Sequence, residues 1–133
     1  MLRYLLDTNI VIYVIKRRPI EAPEIFNQNA GRMAISSITL AELMHGAEKC
    51  SKPSANLAVV EYLCSWLEVL AYGAKAAPHF GSIRAALELR GQTIGVNDLQ
   101  MAAHARSEGL TLVTNNMRAF ERVDALQLEN WAV

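Results

Sequence analysis

The stretch that best indicates the fold is residues 2–16, which read LRYLLDTNIVIYVIK. Its first five residues form a short apolar run typical of a buried strand, and residues 9–16 are apolar enough to form a helix capped by Thr8 or Asn9. Asp7 closes the apolar run. Because an ionised carboxylate is costly to bury unless another group offsets that cost, Asp7 is the first candidate functional residue.

The rest of the chain repeats this alternation of short apolar runs and helical patterns. Further strands are predicted at residues 32–35, 69–72 and 110–113, and further helices at 38–48, 54–68, 74–90 and 98–109. Ser36 or Ser37 can cap the first of these helices, Pro53 marks a loop and Gly91 marks a left-handed helix end. The alternation predicts a single α/β domain over residues 1–133, with a mostly parallel central sheet.

Composition narrows the functional classes. The chain has 133 residues, 52% of them hydrophobic, yet no apolar stretch approaches the roughly 20 residues of a membrane-spanning helix. The amino terminus lacks the pattern of a secretion signal, so we expect a cytoplasmic protein. Two cysteines without CxxC spacing indicate neither a zinc site nor a disulfide framework. Since the formal net charge is zero, a polyanion must be bound by local cations, for which the candidates are Lys16, Arg17, Arg18 and Arg84.

Two further carboxylates share the setting of Asp7. Glu42 lies inside an apolar helical pattern, and Asp98 opens the helix that follows a glycine-containing loop. In a parallel sheet the ligand crevice lies beyond the carboxyl ends of the strands, where Asp7, Asn115 and Asn116 are expected. Asp7, Glu42 and Asp98 are hard oxygen ligands of the type that Mg²⁺ or Mn²⁺ prefers, and metal-assisted phosphodiester cleavage is a natural use of such a site.

A purely structural interpretation of these residues stays open at this level. Asp7 and Asp98 can each cap a helix, and Glu42 can pair with a lysine such as Lys49. The polar neighbours of the carboxylates either hold those groups in place or serve as ordinary turn residues; they are Thr8, Asn9, Thr114 and Asn115. The three histidines do not cluster and are predicted at the core edge or the surface; they are His45, His79 and His104.

Four motifs, in order along the chain, resemble those of a known family. They are LLDTN at residues 5–9, SSITLAEL at 36–43, IGVNDL at 94–99 and LVTNN at 112–116. Together they resemble the PIN-domain ribonucleases, and most closely the VapC-like toxins, whose enteric members the carboxyl-terminal residues 120–131 also resemble. The motifs span nearly the whole chain, which makes the match a specific one.

The resemblance implies a three-layer α/β/α fold and an Mg²⁺- or Mn²⁺-dependent endoribonuclease, the toxin of a type II toxin-antitoxin module. It also implies a homodimer, inhibition by a VapB-like antitoxin, assembly on operator DNA through that antitoxin, and cleavage of initiator tRNA in its anticodon stem-loop. Asp7, Glu42 and Asp98 match the acidic residues of the family. The fourth acidic position falls at or near Asn116, which can coordinate through its carbonyl or hold a water but adds no charge.

One position departs from the pattern of the family. In VapC-like chains that carry asparagine at the fourth position, a glutamate commonly precedes the following phenylalanine, whereas this chain has Ala119 before Phe120. Losing a carboxylate removes charge from a metal site, so we expect weaker metal affinity or a slower chemical step. A catalytically impaired binding module that still dimerises and binds its antitoxin therefore stays open as an alternative.

An aspartate-based phosphatase or phosphotransferase is a second alternative, because Asp7 follows the first strand of an α/β pattern. Two residues count against it. Such phosphatases usually carry a second aspartate two residues later, where this chain has Asn9, and receiver-like domains need a lysine after a late strand, where it has Asn115.

The helical patterns around Tyr13 and Met44 contain more apolar residues than one buried face requires. We therefore expect a groove there that receives an antitoxin helix. Ordinary packing in the core or in a dimer would explain the same pattern.

Overall fold

The computed structural model describes residues 1–16 and 21–132. Within these ranges the strands are β1 (Tyr4–Leu6), β2 (Met33–Ser36), β3 (Glu68–Leu70), β4 (Thr111–Val113) and β5 (Leu128–Glu129). The helices are α1 (Thr8–Lys16), α2 (Glu21–Gln28), α3 (Ser37–Glu48), α4 (Pro53–Cys64), α5 (Ala77–Leu89), α6 (Val96–Glu108) and α7 (Met117–Phe120). Arg17 and Arg18, two of the predicted phosphate contacts, lie outside the described residues.

The strands form one parallel sheet in the order β3-β2-β1-β4-β5. The first strand is central: Tyr4 pairs with Met33 of β2 on one side and with Thr111 of β4 on the other. The chain therefore leaves the middle of the sheet first toward one edge and later toward the opposite edge. Such a reversal opens a crevice beyond the carboxyl ends of the central strands, and this crevice is where the candidate site lies.

Apolar layers cover both faces of the sheet, because successive side chains of a strand point to opposite faces. In β1, Tyr4 and Leu6 join the layer beneath α1, α2, α3 and α4, whereas Leu5 joins the layer beneath α5 and α6. All three side chains are buried. The result is the predicted three-layer α/β/α arrangement with a parallel central sheet.

Local signals placed several helix ends correctly. The Ser36 hydroxyl accepts a hydrogen bond from the Ile38 amide at 3.1 Å and so caps α3 as predicted. Gly109 ends α6 with a φ of 67°, and Gly91, just beyond α5, has a φ of 66°. Both are in the left-handed region, which a residue with a side chain enters only at a cost.

Other boundaries differ from the prediction. Pro53 is the first residue of α4 rather than part of a loop, because the first turn of a helix does not need its N–H group. The helix then ends at Cys64, four residues early. Glu68, predicted from helical spacing to be the last residue of this helix, is instead the first residue of β3. There it pairs with Ala34 of β2.

None of the helices in the described part of the chain is long and apolar enough to cross a membrane.

Candidate active site

Asp7 is fixed at the point where β1 ends and α1 begins. Its Oδ1 accepts the Thr8 amide at 2.9 Å, and its Oδ2 accepts the Thr114 hydroxyl at 3.0 Å. Thr114 directly follows β4, so the two central strands deliver these side chains to one place. The carboxylate of Asp7 thus caps α1 and also faces the crevice, with only 5% of the residue exposed.

Glu42 reaches the same place from α3. Its Oε1 accepts a hydrogen bond from the Thr8 hydroxyl at 2.8 Å and lies 3.5 Å from the side-chain amide nitrogen of Asn97. The Thr8 hydroxyl also lies 3.2 Å from that of Thr39, which is buried one turn earlier in α3. Thr8 therefore links the two carboxylates, because its amide donates to Asp7 and its hydroxyl donates to Glu42.

Asp98 completes the acidic group from the first turn of α6. Its Oδ2 accepts the Asn116 side-chain amide at 3.4 Å. The Asn116 backbone amide donates to the Thr114 hydroxyl at 3.0 Å, and Thr114 in turn donates to Asp7. One chain of hydrogen bonds therefore connects Asp98 to Asp7 through Asn116 and Thr114.

The three carboxylates line one cleft of about 310 Å³. Burial raises the pKa of Asp7, the bonds from Thr114 and Thr8 oppose the rise, and the charges of Asp98 and Glu42 add to it. Burial also raises the pKa of Asp98, and the charge of Glu42 adds to that rise. Because the pKa values of Asp7 and Asp98 are raised in the folded protein, the ionisation of these two carboxylates at neutral pH works against its stability.

The structural alternatives for these residues hold only in part. Asp7 does cap a helix, but Gly95 rather than Asp98 is the N-cap of α6. Glu42 forms no ion pair with Lys49 within the described chain. The same described residues contain no tight group of three acidic, histidine or cysteine ligands, so the carboxylates share a cleft without converging on one point.

The remaining polar candidates divide between the cleft and its border. Asn9 lines the cleft together with Thr8. Asn115 turns away from the carboxylates, and its amide donates to the Tyr13 hydroxyl at 2.7 Å. This bond ties α1 to the turn that carries Thr114 and Asn116. Tyr13, expected in an apolar groove, therefore makes a polar contact through its hydroxyl, while the side chain packs partly buried against the core.

Several residues line the cleft although the sequence predicted no role in the site for them. They are His45 of α3, Lys49 at the C-cap of α3, Ile12 of α1 and Asn97 of α6. A signal was available, since His45 and Lys49 follow Glu42 by three and seven residues and thus share its helix face.

The other two histidines lie elsewhere. His79 Nδ1 accepts the Arg106 Nε–H at 2.9 Å. His104, predicted at the core edge or surface, is instead buried in the core, where it packs edge-on against Tyr72. Burial lowers the pKa of His104 and keeps its ring neutral.

A separate apolar groove lies between α1, α2 and α4. Its volume is about 690 Å³. The lining side chains include Val14, Ile15, Phe26, Tyr62 and Trp66. The groove thus uses the α1 pattern seen in the sequence, but α4 replaces the expected α3, since Met44 is partly buried against the core.

A parallel sheet with an acidic cleft beyond its central strands defines the class of α/β protein that the sequence motifs resembled. The family model described as PIN domain matches residues 4–126, and the chain belongs to this family. Ribonuclease VapC2 of Haemophilus influenzae is 62% identical over 131 residues, covering 98% of this chain and 99% of the relative. The tRNA(fMet)-specific endonuclease VapC of Shigella flexneri is 52% identical, covering 99% of this chain and 100% of the relative.

Solved structures agree with the sequence relatives. A chain in the crystal structure of DNA-bound VapBC from Salmonella typhimurium superimposes with a TM-score of 0.92 and is 52% identical. The match covers 98% of this chain and 99% of that chain.

Proposed function

We propose that this chain is a metal-dependent endoribonuclease, the toxin of a type II toxin-antitoxin module, with Asp7, Glu42 and Asp98 as its catalytic carboxylates. The main support is that three different elements bring these carboxylates to one cleft. Relatives named ribonuclease support the activity, and a relative named tRNA(fMet)-specific endonuclease supports initiator tRNA as the substrate. The proposal includes a cytoplasmic location, where tRNA is used.

The donor set fits Mg²⁺ or Mn²⁺. Asp7 is buried beside two like charges, and no ion pair among the described residues neutralises any of the three carboxylates. Mg²⁺ commonly uses one or two carboxylates and keeps several waters, which suits a cleft whose acidic groups do not converge tightly. Asp7 and Asp98 would hold the ion, with Glu42 beside them. When bound, the ion neutralises phosphate charge and lowers the pKa of a water.

The hydrogen bonds made by each carboxylate indicate its role in the reaction. Both oxygens of Asp7 accept hydrogen bonds, so this carboxylate is rigid. Glu42 and Asp98 each accept through one oxygen, and the described residues give the other oxygen no donor. The second oxygen of Asp98 is free to hold the ion. The second oxygen of Glu42 can orient the attacking water and accept its proton as the water oxygen bonds to phosphorus, a bridging P–O bond breaks and the leaving ribose oxygen takes a proton from solvent. Asn116, predicted as a catalytic residue, is proposed to orient Asp98 through its amide.

Cleavage of labelled initiator tRNA tests the proposal. We expect cut products in Mg²⁺ or Mn²⁺ and a return to background when EDTA removes the ion, because the carboxylates then repel the phosphate. An elongator tRNA is the control for substrate choice. Metal binding without cleavage of either tRNA would contradict the enzyme and favour the binding module, since Ala119 would then leave only partner binding.

The apolar groove supports the second part of the proposal, inhibition by a VapB-like antitoxin. Tyr62 is 68% exposed and Trp66 is 42% exposed, which is unusual for two aromatic side chains that pack on each other. Large aromatics of this kind anchor protein interfaces, and a groove between helices suits an apolar helix face. The DNA-bound VapBC structure from Salmonella typhimurium supports a complex of this chain with an antitoxin on DNA. The proposal adds that the toxin is a homodimer and that it assembles on operator DNA through its antitoxin.

Tyr62→Glu should weaken antitoxin binding by roughly 30-fold, because a charge replaces an interface aromatic whose loss typically costs about 2 kcal/mol or more. Leu89→Glu is the matched control, since Leu89 is 89% exposed on α5, away from the groove. Titration calorimetry against the antitoxin measures both. Equal loss in the two variants, or none in Tyr62→Glu, would exclude this groove as the antitoxin site.

A further inference from the structure

The α3 side of the cleft carries its basic residues. His45 and Lys49 follow Glu42 by about one and two helical turns, and all three line the cleft and are exposed. At a rise of about 1.5 Å per residue, they stand roughly 4.5 and 10.5 Å farther along the helix axis than Glu42. The His45 and Lys49 side chains therefore form a row that leads away from the carboxylates along one side of the cleft. We call this side, made of His45, Gly46 and Lys49, the α3 wall.

The described parts of the chain give the polar side chains of the α3 wall no partner. Neither the His45 ring nor the Lys49 ammonium forms a hydrogen bond or ion pair with residues 1–16 or 21–132. In contrast, Lys75 pairs with Glu108 at 3.3 Å and Arg84 with Glu88 at 3.5 Å. Arg84, an earlier candidate for a phosphate contact, is thus engaged within the protein and does not line the cleft.

Gly46 gives a second, independent observation about the same wall. It lies inside α3, where glycine costs stability relative to alanine, and it also lines the cleft. A Cβ atom built at Gly46 meets nothing within 4 Å, so packing inside the protein does not require glycine here. Its absence leaves the helix backbone open to close approach from the cleft.

Electrostatics explains why the cleft needs such a wall. Three carboxylates repel an RNA backbone, and the net charge of zero provides no global attraction to overcome that repulsion. Local cations must therefore bind the phosphates that flank the cleavage point. Lys49 is the lysine that lines the cleft among the described residues, and it lies at the carboxyl end of α3, where the helix dipole favours a cation.

We propose that the α3 wall binds an RNA phosphate neighbouring the one that is cleaved. The Lys49 ammonium and a His45 ring N–H donate to its non-bridging oxygens, and the RNA backbone passes over Gly46. This inference rests on the proposed ribonuclease function and adds where the substrate backbone runs. It fixes the direction in which RNA leaves the carboxylates, along α3 from Glu42 toward Lys49.

Binding of a labelled initiator tRNA anticodon stem-loop, measured without metal at several salt concentrations, tests the proposal. Lys49→Gln should weaken binding roughly tenfold and reduce the salt slope by about one, because one phosphate contact is lost. His45→Gln should weaken binding a few-fold. Lys52→Gln is the matched control: Lys52 is an exposed lysine three residues later that does not line the cleft, so we expect no change.

Gly46→Ala separates binding from folding. Alanine should raise the melting temperature, since it favours the helix and meets no atom of the protein, yet its methyl group should weaken RNA binding severalfold. A raised melting temperature with unchanged RNA affinity would overturn the passage of RNA over Gly46. If Lys49 has only a structural role, Lys49→Gln will lower the melting temperature and leave the salt slope of RNA binding unchanged. That result would overturn the proposed phosphate contact of Lys49.

The two proposals fail in different ways. If the parent protein cleaves tRNA while Lys49→Gln and the double variant with His45→Gln keep its KM and RNA affinity, the α3 wall is overturned and the ribonuclease function stands. If the parent neither binds nor cleaves tRNA with metal present, the ribonuclease function itself is overturned. A rise in KM confined to the wall variants, with Lys52→Gln unchanged, supports both.

Discussion

Asp7→Asn should greatly reduce RNA cleavage while making the metal-free protein more stable. Asparagine keeps the size of the side chain and can still accept the Thr8 amide, and the Thr114 hydroxyl can turn to meet its NH₂ group. What it removes is a buried charge beside Glu42 and Asp98. Activity should fall by roughly 10²- to 10⁴-fold, the range for losing one positioned ionisable group at a reacting centre.

The stability gain should depend on pH in a defined direction. Burial raises the pKa of Asp7 above its value in the unfolded chain, so the unfolded state ionises first as pH rises. The parent protein therefore loses stability as pH rises through the folded-state pKa. Asp7→Asn avoids this loss, so its stability advantage over the parent should be largest at neutral pH and shrink toward acid.

Asp124→Asn is the matched control for this experiment. Asp124 is exposed, pairs with Arg90 at 3.6 Å and does not line the cleft, so its amide variant should keep full cleavage. Urea denaturation with EDTA at several pH values measures stability, and tRNA cleavage measures activity. If Asp7→Asn cleaves tRNA almost as well as the parent protein, Asp7 is not a catalytic residue. A loss of stability would show that its carboxylate acts chiefly as a helix cap.

Features set by local sequence could be predicted. Asp7 was placed correctly between β1 and α1 because an apolar run, a carboxylate and a helical pattern follow one another within a few residues. The Ser36 cap and the left-handed Gly109 have equally local causes. The parallel sheet followed from the alternation of elements, and the strand-end rule placed Asp7, Asn115 and Asn116 at one edge of it. Asn116 does contact the acidic group, whereas Asn115 bonds Tyr13 instead. The single domain over residues 1–133 stays a prediction.

Features that depend on distant partners could not be predicted. Helix α7 has four residues and β5 has two, so neither carries a periodic pattern of its own. Phe120 is fully buried in the core and anchors α7, whereas β5 exists through its pairing with β4. His104 was misjudged because its burial depends on Tyr72, which lies 32 positions earlier in the chain.

Ala119→Glu should strengthen metal binding and raise the cleavage rate, each by about 10- to 100-fold, the range over which supporting groups alter a metal site. Asn116 is the N-cap of α7 and Ala119 is its third residue, so the two share a helix face. Because the Asn116 side chain already reaches Asp98 at 3.4 Å, a glutamate at position 119 would enter the cleft from the same side.

In the alternative conformation, the glutamate side chain at position 119 accepts a hydrogen bond from the backbone amide of the N-cap residue, as in a capping box. That amide is already taken, since Asn116 N–H donates to the Thr114 hydroxyl at 3.0 Å. The new carboxylate is therefore left for the cleft, where its charge should also lower the stability of the metal-free protein beside Asp98.

Ala119→Gln is the matched control, because glutamine has the same length and can cap a helix but adds no charge. Mn²⁺ titration and tRNA cleavage should improve with glutamate alone. Equal improvement by glutamine would mean that position 119 acts through the helix rather than through charge. No improvement in either variant would mean that Asp7, Glu42 and Asp98 suffice, and that a PIN-domain cleft with three carboxylates needs no fourth.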